Sequence, residues 1–211
     1  MKKITLVAAM VALFATACIP TETNPLDTAA RSMTAAMFGE PRPMPARTLT
    51  DQNGEPFDLR IDTQDQLTLL FFGYTSCPDI CPITMATVAR AMRMLEPSLR
   101  DRVGVVFVTL DANRDGVDEV KTWLAGIDST FVGVTGSQEE LEGVLADFGY
   151  VMPPFEIPTE GFYEVPHPAE VFLFTPERLA RFGYMPNTPP EAMAEDLAIL
   201  AEVWWPSGSG S

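Results

Sequence analysis

The sequence predicts an α/β fold with a largely parallel sheet, and the main observation is the order of its elements. A hairpin pattern comes first, and segments typical of strands then alternate with segments typical of helices. Such alternation indicates a parallel sheet that is covered by helices on both faces. A strand pair and a closing helix come last. This order is that of a thioredoxin-like fold with an N-terminal β-hairpin extension.

The first elements of this domain are a hairpin and a buried strand. Residues 48–59 are predicted to form the hairpin, because Asn53 and Gly54 are favoured turn residues between two short strand-like runs. Residues 67–72 form an unbroken apolar run that ends at Gly73. A run of this kind is expected of a strand that is buried on both faces of the sheet.

The central helices and strands follow from local patterns. Apolar residues at helical spacing predict a helix over residues 83–95 that begins at Pro82. Asp115 is predicted to start the next helix, and Ser137 with Glu140 predicts a capping box for a third. The remaining predicted elements are strands at residues 103–110, 130–134, 171–174 and 179–182, and a last helix at residues 189–204.

The N-terminal residues predict export to the periplasm of a bacterium. Lys2 and Lys3 precede an uncharged, mostly apolar stretch, and small residues come directly before Cys18. We therefore expect residues 1–17 to be a lipoprotein-type signal peptide. Cys18 would then carry a lipid that anchors the mature chain to the periplasmic face of a membrane. A plain cleaved signal and an uncleaved anchor are the alternatives, although the apolar stretch is short against the ~20 residues of a membrane span.

The composition of the remaining residues predicts a tether, a folded domain and a tail. Residues 18–45 are rich in Pro, Thr, Ala and Met and are predicted to be a tether, with a short helix around residues 26–38. The thioredoxin-like domain is expected over residues 46–205, and residues 206–211 are expected to be a flexible Ser-Gly tail. The formal net charge of −15 excludes a basic nucleic-acid-binding face, so no nucleic acid partner is expected.

Cysteine and histidine are scarce in this chain. Cys77 and Cys81 are the only cysteines besides Cys18, and His167 is the only histidine. The two thiols follow the first buried strand, Asp111 follows the next, and His167 comes shortly before a later strand. Carboxyl ends of parallel strands share one edge of a sheet, and an antiparallel strand begins at that edge. We therefore expect these thiols, the imidazole and Asp111 to lie close together.

Two thiols and one imidazole predict a soft metal site. Thiolates suit Cu(I) and imidazole suits copper too, whereas structural zinc almost always has four protein ligands. Cys81 is expected to be a thiolate because it adjoins a helix N-terminus, and Asp111 is a candidate to tune the ligands without binding the metal. The alternative is a plain disulfide between Cys77 and Cys81, with His167 an ordinary loop residue.

The residues around the cysteines resemble a known family signature. Residues 71–82 read Phe-Phe-Gly-Tyr-Thr-Ser-Cys-Pro-Asp-Ile-Cys-Pro, which resembles the Sco/SenC motif almost residue for residue. Members of that family are membrane-anchored, thioredoxin-fold copper proteins involved in assembling cytochrome c oxidase. The resemblance covers roughly residues 49–203. It implies that Cys77, Cys81 and His167 bind copper as Cu(I) or Cu(II), and that the two thiols cycle between dithiol and disulfide.

The resemblance implies a copper metallochaperone with thiol-redox capability. It would deliver copper to a respiratory cytochrome c oxidase, or prepare the copper site of that oxidase. Its partner would be the copper-binding subunit of the oxidase or another copper protein. The alternative is an enzyme, a periplasmic thiol-disulfide reductase that acts on the copper-site cysteines of a partner without an obligatory metal. A third hypothesis is a copper-responsive sensor or binding module. The first two functions use the same dithiol of Cys77 and Cys81.

Overall fold

A mixed sheet with helices on both sides forms the part of the chain that the structure describes. The structure is a computed structural model, and it describes residues 24–158 and 161–206. The strands are β1 (Ala36–Pro43), β2 (Thr48–Asp51), β3 (Pro56–Asp58), β4 (Leu67–Gly73), β5 (Val103–Thr109), β6 (Val132–Thr135), β7 (Val171–Phe174) and β8 (Leu179–Tyr184). The helices are α1 (Pro25–Ala30), α2 (Ile80–Met94), α3 (Pro97–Arg100), α4 (Val117–Ala125), α5 (Gln138–Asp147) and α6 (Pro190–Trp204).

The strand order explains where a site can form. The order across the sheet is β1-β8-β7-β4-β5-β6-β2-β3. Strands β4, β5 and β6 are parallel, and β7 runs antiparallel to β4, with Thr68 opposite Phe174 and Leu70 opposite Phe172. The carboxyl ends of β4 and β5 therefore share one edge of the sheet with the start of β7. The predicted thioredoxin-like α/β fold is confirmed.

The predicted N-terminal hairpin extends the sheet beyond β6. Strands β2 and β3 pair antiparallel with Leu49 opposite Phe57, and Gly54 in the turn has a positive φ of 83°. Glycine adopts that conformation without the steric cost that a Cβ would add. Strand β2 also pairs with β6. Strand β6 begins at Val132 rather than at the predicted residue 130, because the Asp128 carboxylate binds the backbone and hydroxyl of Thr130 in a turn.

The structure corrects the predicted tether. Residues 36–43 form an edge strand that pairs with β8, and the predicted short helix is limited to Pro25–Ala30. The proline-rich composition of this segment predicted a tether, but proline is tolerated at a sheet edge. The buried carboxylate of Asp196 on α6 fixes the start of the strand by accepting hydrogen bonds from nearby backbone N–H groups. The folded domain therefore includes residues before the predicted boundary at residue 46.

The predicted signal peptide, Cys18 and the Ser-Gly run of the tail lie outside the described residues. None of the helices within residues 24–158 and 161–206 combines the length and apolar character that crossing a membrane requires.

The core is built on strand β4, of which every residue is buried. Aromatic side chains fill one face, where the Phe148 ring meets Phe172 with centroids 4.5 Å apart and Phe72 at 5.9 Å. Contacts at these separations add to the stabilisation that buried apolar area already provides. A rigid strand thus carries the loop that begins at Tyr74.

Candidate metal centre

The structure brings Cys77, Cys81 and His167 together at the carboxyl edge of the parallel strands. Their ligand atoms, the two sulfurs and one ring nitrogen, all lie within 4.8 Å of one another. Cys81 Sγ is 3.5 Å from His167 Nε2. These residues come from the loop after β4 and from the segment before β7, as the topology argument expected.

The loop after β4 places the two thiols through local backbone contacts. The Cys77 N–H donates to the Tyr74 carbonyl at 3.2 Å, and the Cys81 N–H points at Cys77 Sγ at 3.5 Å. Glycine suits the close approach at the end of β4, because a Cβ at position 73 would lie 3.0 Å from both Cys81 Sγ and the Phe107 ring. The two sulfurs are thus held near each other, and both cysteines are free thiols.

Helix α2 begins earlier than predicted. Its first residue is Ile80 and its N-cap is Asp79, so Pro82 lies at the third helical position rather than the first. Proline is tolerated there because the first four N–H groups of a helix have no partner within the helix. Cys81 consequently belongs to the first turn of the helix, and its side chain is 0% exposed.

The two thiols differ in acidity, and Cys81, the predicted thiolate, is the less acidic of them. Burial raises the pKa of Cys81 well above its ordinary value, and the neighbouring Cys77 sulfur adds to the effect. Burial also opposes ionisation of Cys77, but hydrogen bonds from the backbone of Asp79 and Cys81 outweigh it and lower the pKa of Cys77. The expectation of a Cys81 thiolate was wrong, because desolvation exceeds the stabilisation that a helix N-terminus provides. Cys77 is the thiol that ionises first.

The imidazole of His167 has a defined orientation. Its Nδ1 lies 2.8 Å from the Pro168 carbonyl oxygen, which can only accept a hydrogen bond. Nδ1 therefore carries the hydrogen of the neutral ring, and the lone pair of Nε2 faces Cys81 Sγ. The rings of Phe71 and Tyr74 meet the imidazole edge to face, each with centroids 5.8 Å away. Burial lowers the pKa of His167, which favours the neutral ring that binds metals.

Asp111 lies at the same edge but faces other partners. Its buried carboxylate accepts hydrogen bonds from Arg114 Nε and from the Tyr163 hydroxyl, the latter at 2.8 Å. These bonds connect the loop after β5 with the segment that leads to His167. Asp111 therefore reaches the thiols and the imidazole through other side chains, and its role in tuning them stays a prediction.

Asp115, which the sequence predicts to start a helix, is instead a structural residue of this site. Helix α4 has Gly116 as its N-cap, and the Asp115 side chain points inwards with 0% exposure. Its carboxylate accepts hydrogen bonds from the Thr75 N–H at 2.7 Å, the Thr75 hydroxyl at 2.6 Å and the Thr109 hydroxyl at 2.6 Å. Because Thr75 belongs to the cysteine loop, Asp115 fastens that loop to the end of β5. An aspartate just before a helix is typical of a cap, so no local signal marked this role.

An open cleft gives access to Cys77 and His167. Tyr74, Cys77 and His167 line it, and the charged residues among its lining are Asp79 and Glu164. Both are exposed acids, so the mouth of the cleft favours cations over anions. Arg114, the nearby cation, is already paired with Asp111.

The donor set fits copper. Two soft sulfurs and one imidazole nitrogen suit Cu(I), and the imidazole also serves Cu(II). Within the described residues, the cluster of possible metal ligands comprises Cys77, Cys81 and His167, without a carboxylate as a fourth member. Structural zinc sites almost always have four protein ligands. The Sγ atoms of the same two cysteines lie within 4.8 Å of each other, and both are free thiols.

The sequence is similar to those of known proteins. The sequence model of the SCO1/SenC family matches residues 40–202. A candidate copper-binding protein of Stutzerimonas stutzeri is 35% identical over 136 residues, which is 64% of this chain and 66% of that relative. The chain spans about half to two thirds of the length of the curated relatives it matches.

Two solved structures are similar as well. Bradyrhizobium japonicum ScoI with copper bound is 30% identical, with a TM-score of 0.60 over 76% of this chain and 98% of that one. Apo Sco1 from Thermus thermophilus is also 30% identical, with a TM-score of 0.67 over 81% of this chain and 96% of that one.

Proposed function

Because the chain belongs to the SCO1/SenC family, we propose that it is a copper metallochaperone with thiol-redox capability. Proteins of this family bind copper and take part in cytochrome c oxidase assembly. The proposed partner is the copper-binding subunit of a respiratory oxidase, to which the protein delivers copper or whose copper site it prepares. The observation that carries this proposal is the Cys77, Cys81 and His167 cluster, whose ligand atoms lie within 4.8 Å of one another.

The three ligand residues would act in different ways. Cys77 is 8% exposed and has a lowered pKa, so its thiolate is the first donor that an incoming Cu(I) or partner thiol would meet. Cys81 is fully buried and would lose its proton as the metal binds. His167 presents the Nε2 lone pair to complete the site, and the flanking rings of Phe71 and Tyr74 limit the access of water.

A thiol-disulfide reductase is the second candidate function. It is favoured by the unequal acidity of the two thiols, because a thiol of lowered pKa that lines an open cleft, beside a fully buried one, suits attack on a partner disulfide. In that reaction Cys77 would form a mixed disulfide and Cys81 would then displace the partner. This function has no need of His167.

Copper protection of the thiols tests the proposed ligands. We expect Cys77 and Cys81 to alkylate much more slowly after one equivalent of Cu(I) is added, because a coordinated thiolate is not free to attack the reagent. Mass spectrometry of the alkylated protein measures each cysteine separately. Without copper, Cys77 should react before the buried Cys81. If each cysteine alkylated at the same rate with Cu(I) as without it, Cys77 and Cys81 would not be its ligands.

We further propose that residues 1–17 are removed and that a lipid on Cys18 anchors the mature chain at the periplasmic face of a bacterial membrane. The support is the run of small residues directly before Cys18. The folded domain would then begin with α1 and β1, after a tether shorter than residues 18–45. The intact mass of membrane-extracted protein should equal that of a chain starting at lipidated Cys18. An unmodified N-terminus near residue 18, or retention of residues 1–17, would exclude the lipoprotein.

A further inference from the structure

We propose that Arg114 is a positioning residue that holds the His167 segment against the cysteine loop and thereby determines how the site binds Cu(II). The inference rests on the proposed copper function. Arg114 binds no metal itself. Its contacts join the loop after β4, the loop after β5 and the segment before β7 at one edge of the sheet.

The first contacts join Arg114 to the segment that carries His167. Arg114 Nη2 donates to the Tyr163 carbonyl at 3.1 Å, and the guanidinium carbon lies 3.6 Å from the Tyr163 ring centroid. The Tyr163 hydroxyl donates to Asp111 at 2.8 Å, and Asp111 also accepts from Arg114 Nε. Residues 161–170 contain no helix or strand, so side-chain contacts restrain that segment, the burial of Val165 and these bonds of Tyr163 among them.

A second contact joins Arg114 to the cysteine loop. The guanidinium carbon lies 5.5 Å from the Tyr74 ring centroid, and the Tyr74 ring meets the His167 ring at 5.8 Å and 74°. The Tyr74 ring is therefore in contact with both the arginine and the imidazole. Displacement of Arg114 would remove contacts from Tyr163, in the segment that carries His167, and from Tyr74, whose ring meets the imidazole.

The burial of the ion pair makes this arrangement stiff. The Asp111 side chain is 1% exposed and the Arg114 side chain 23%, so water competes little for their charges. Arginine is needed because its planar group can bond a carboxylate and a carbonyl while stacking on a ring. Lysine keeps the charge beside Asp111, but it has neither the planar face nor the fixed fork of donors. Arg114→Lys therefore separates the positioning function from the charge.

The test compares Arg114→Lys with the unchanged full chain and with Arg47→Lys as a matched control. Arg47 also bonds an aspartate, Asp147, through two nitrogens, but neither residue lines the cleft. Each protein is loaded with Cu(II), its electron paramagnetic resonance spectrum is recorded, and the release of Cu(II) to excess EDTA is timed. Cu(I) affinity is measured by competition with a chromophoric Cu(I) chelator.

We expect Arg114→Lys to change the Cu(II) spectrum and to accelerate Cu(II) release about tenfold, the lower end of the range for residues that orient ligands. Cu(I) affinity should change less than about twofold, because the two thiolates that bind Cu(I) most strongly remain. Arg47→Lys should resemble the unchanged chain in every measurement. Tyr163→Phe, which loses the hydroxyl bond to Asp111 but keeps the stacked ring, should have a smaller effect of the same kind, and it replaces Arg114→Lys if that variant does not fold.

Two outcomes would overturn the inference while leaving the proposed function intact. One is a spectrum and a release rate in Arg114→Lys equal to those of the unchanged chain. The other is an equal loss of Cu(I) and Cu(II) affinity, which would indicate general damage to the site. Failure of the unchanged chain to bind either copper ion would instead overturn the proposed function, and this inference with it.

Discussion

His167→Ala is expected to weaken Cu(II) binding by more than about a hundredfold, because loss of a residue that only orients a ligand already costs ~10–100-fold in metal affinity. His167 supplies the nitrogen donor of the cluster, with Nε2 facing the sulfurs. Two thiolates alone can still hold Cu(I), so the Cu(I) affinity should fall much less. Competition titrations with chelators specific for each oxidation state measure both affinities.

The same variant carries its own control. Disulfide formation between Cys77 and Cys81 needs only the two sulfurs, so mild oxidation of His167→Ala should still give the intramolecular disulfide. A thiol titration that finds two fewer free thiols after the oxidation would verify that the disulfide has formed. An unchanged Cu(II) affinity in the variant would contradict the assignment of His167 as a ligand.

Asp115→Ala is expected to lower the free energy of unfolding by about 3 kcal/mol or more, because it leaves several buried donors without an acceptor. The donors are the Thr75 N–H and the hydroxyls of Thr75 and Thr109. Such a loss is a large part of the ~5–15 kcal/mol that stabilises a typical protein. Equilibrium denaturation by urea, followed by tryptophan fluorescence, measures the change. The cysteine loop should also loosen, so Cys77 should alkylate faster in the folded variant.

Two matched variants distinguish this effect from a loss of charge. Asp118→Ala removes an exposed carboxylate from the first turn of α4 and should cost less than about 1 kcal/mol. Asp115→Asn retains an acceptor oxygen and should be less destabilised than Asp115→Ala. If Asp115→Ala were no less stable than Asp118→Ala, the three hydrogen bonds would not be what holds the cysteine loop.

Much of the fold could be predicted from the sequence because its signals are local. The apolar run of β4, the Asn53-Gly54 turn and the capping box at Ser137 each depend on a few neighbouring residues. The proximity of Cys77 and His167 could be predicted as well, since the handedness of crossovers sends successive parallel strands to the same edge. To place His167 at that edge, β7 had to be assumed antiparallel to β4. The antiparallel pairing of β7 with β4 is confirmed.

The features that escaped prediction depend on contacts between distant residues. Strand β1 is specified by pairing with β8 and by the bonds of Asp196 to backbone more than a hundred residues away, not by a strand-like pattern of its own. Asp115 has the sequence context of a helix cap, and its bonds to Thr75 become visible only in three dimensions. The acidity of Cys81 was misjudged because burial cannot be read from its position near a helix start.

The most direct test of the copper function uses a strain that lacks the gene for this protein. The strain is complemented with the unchanged chain or with His167→Ala, and cytochrome c oxidase activity is measured in membranes with matched amounts of each protein. The metallochaperone account predicts that the unchanged chain restores oxidase activity and that His167→Ala does not, although Cys77 and Cys81 still form their disulfide. Full oxidase activity with His167→Ala would contradict the account and favour the thiol-disulfide reductase.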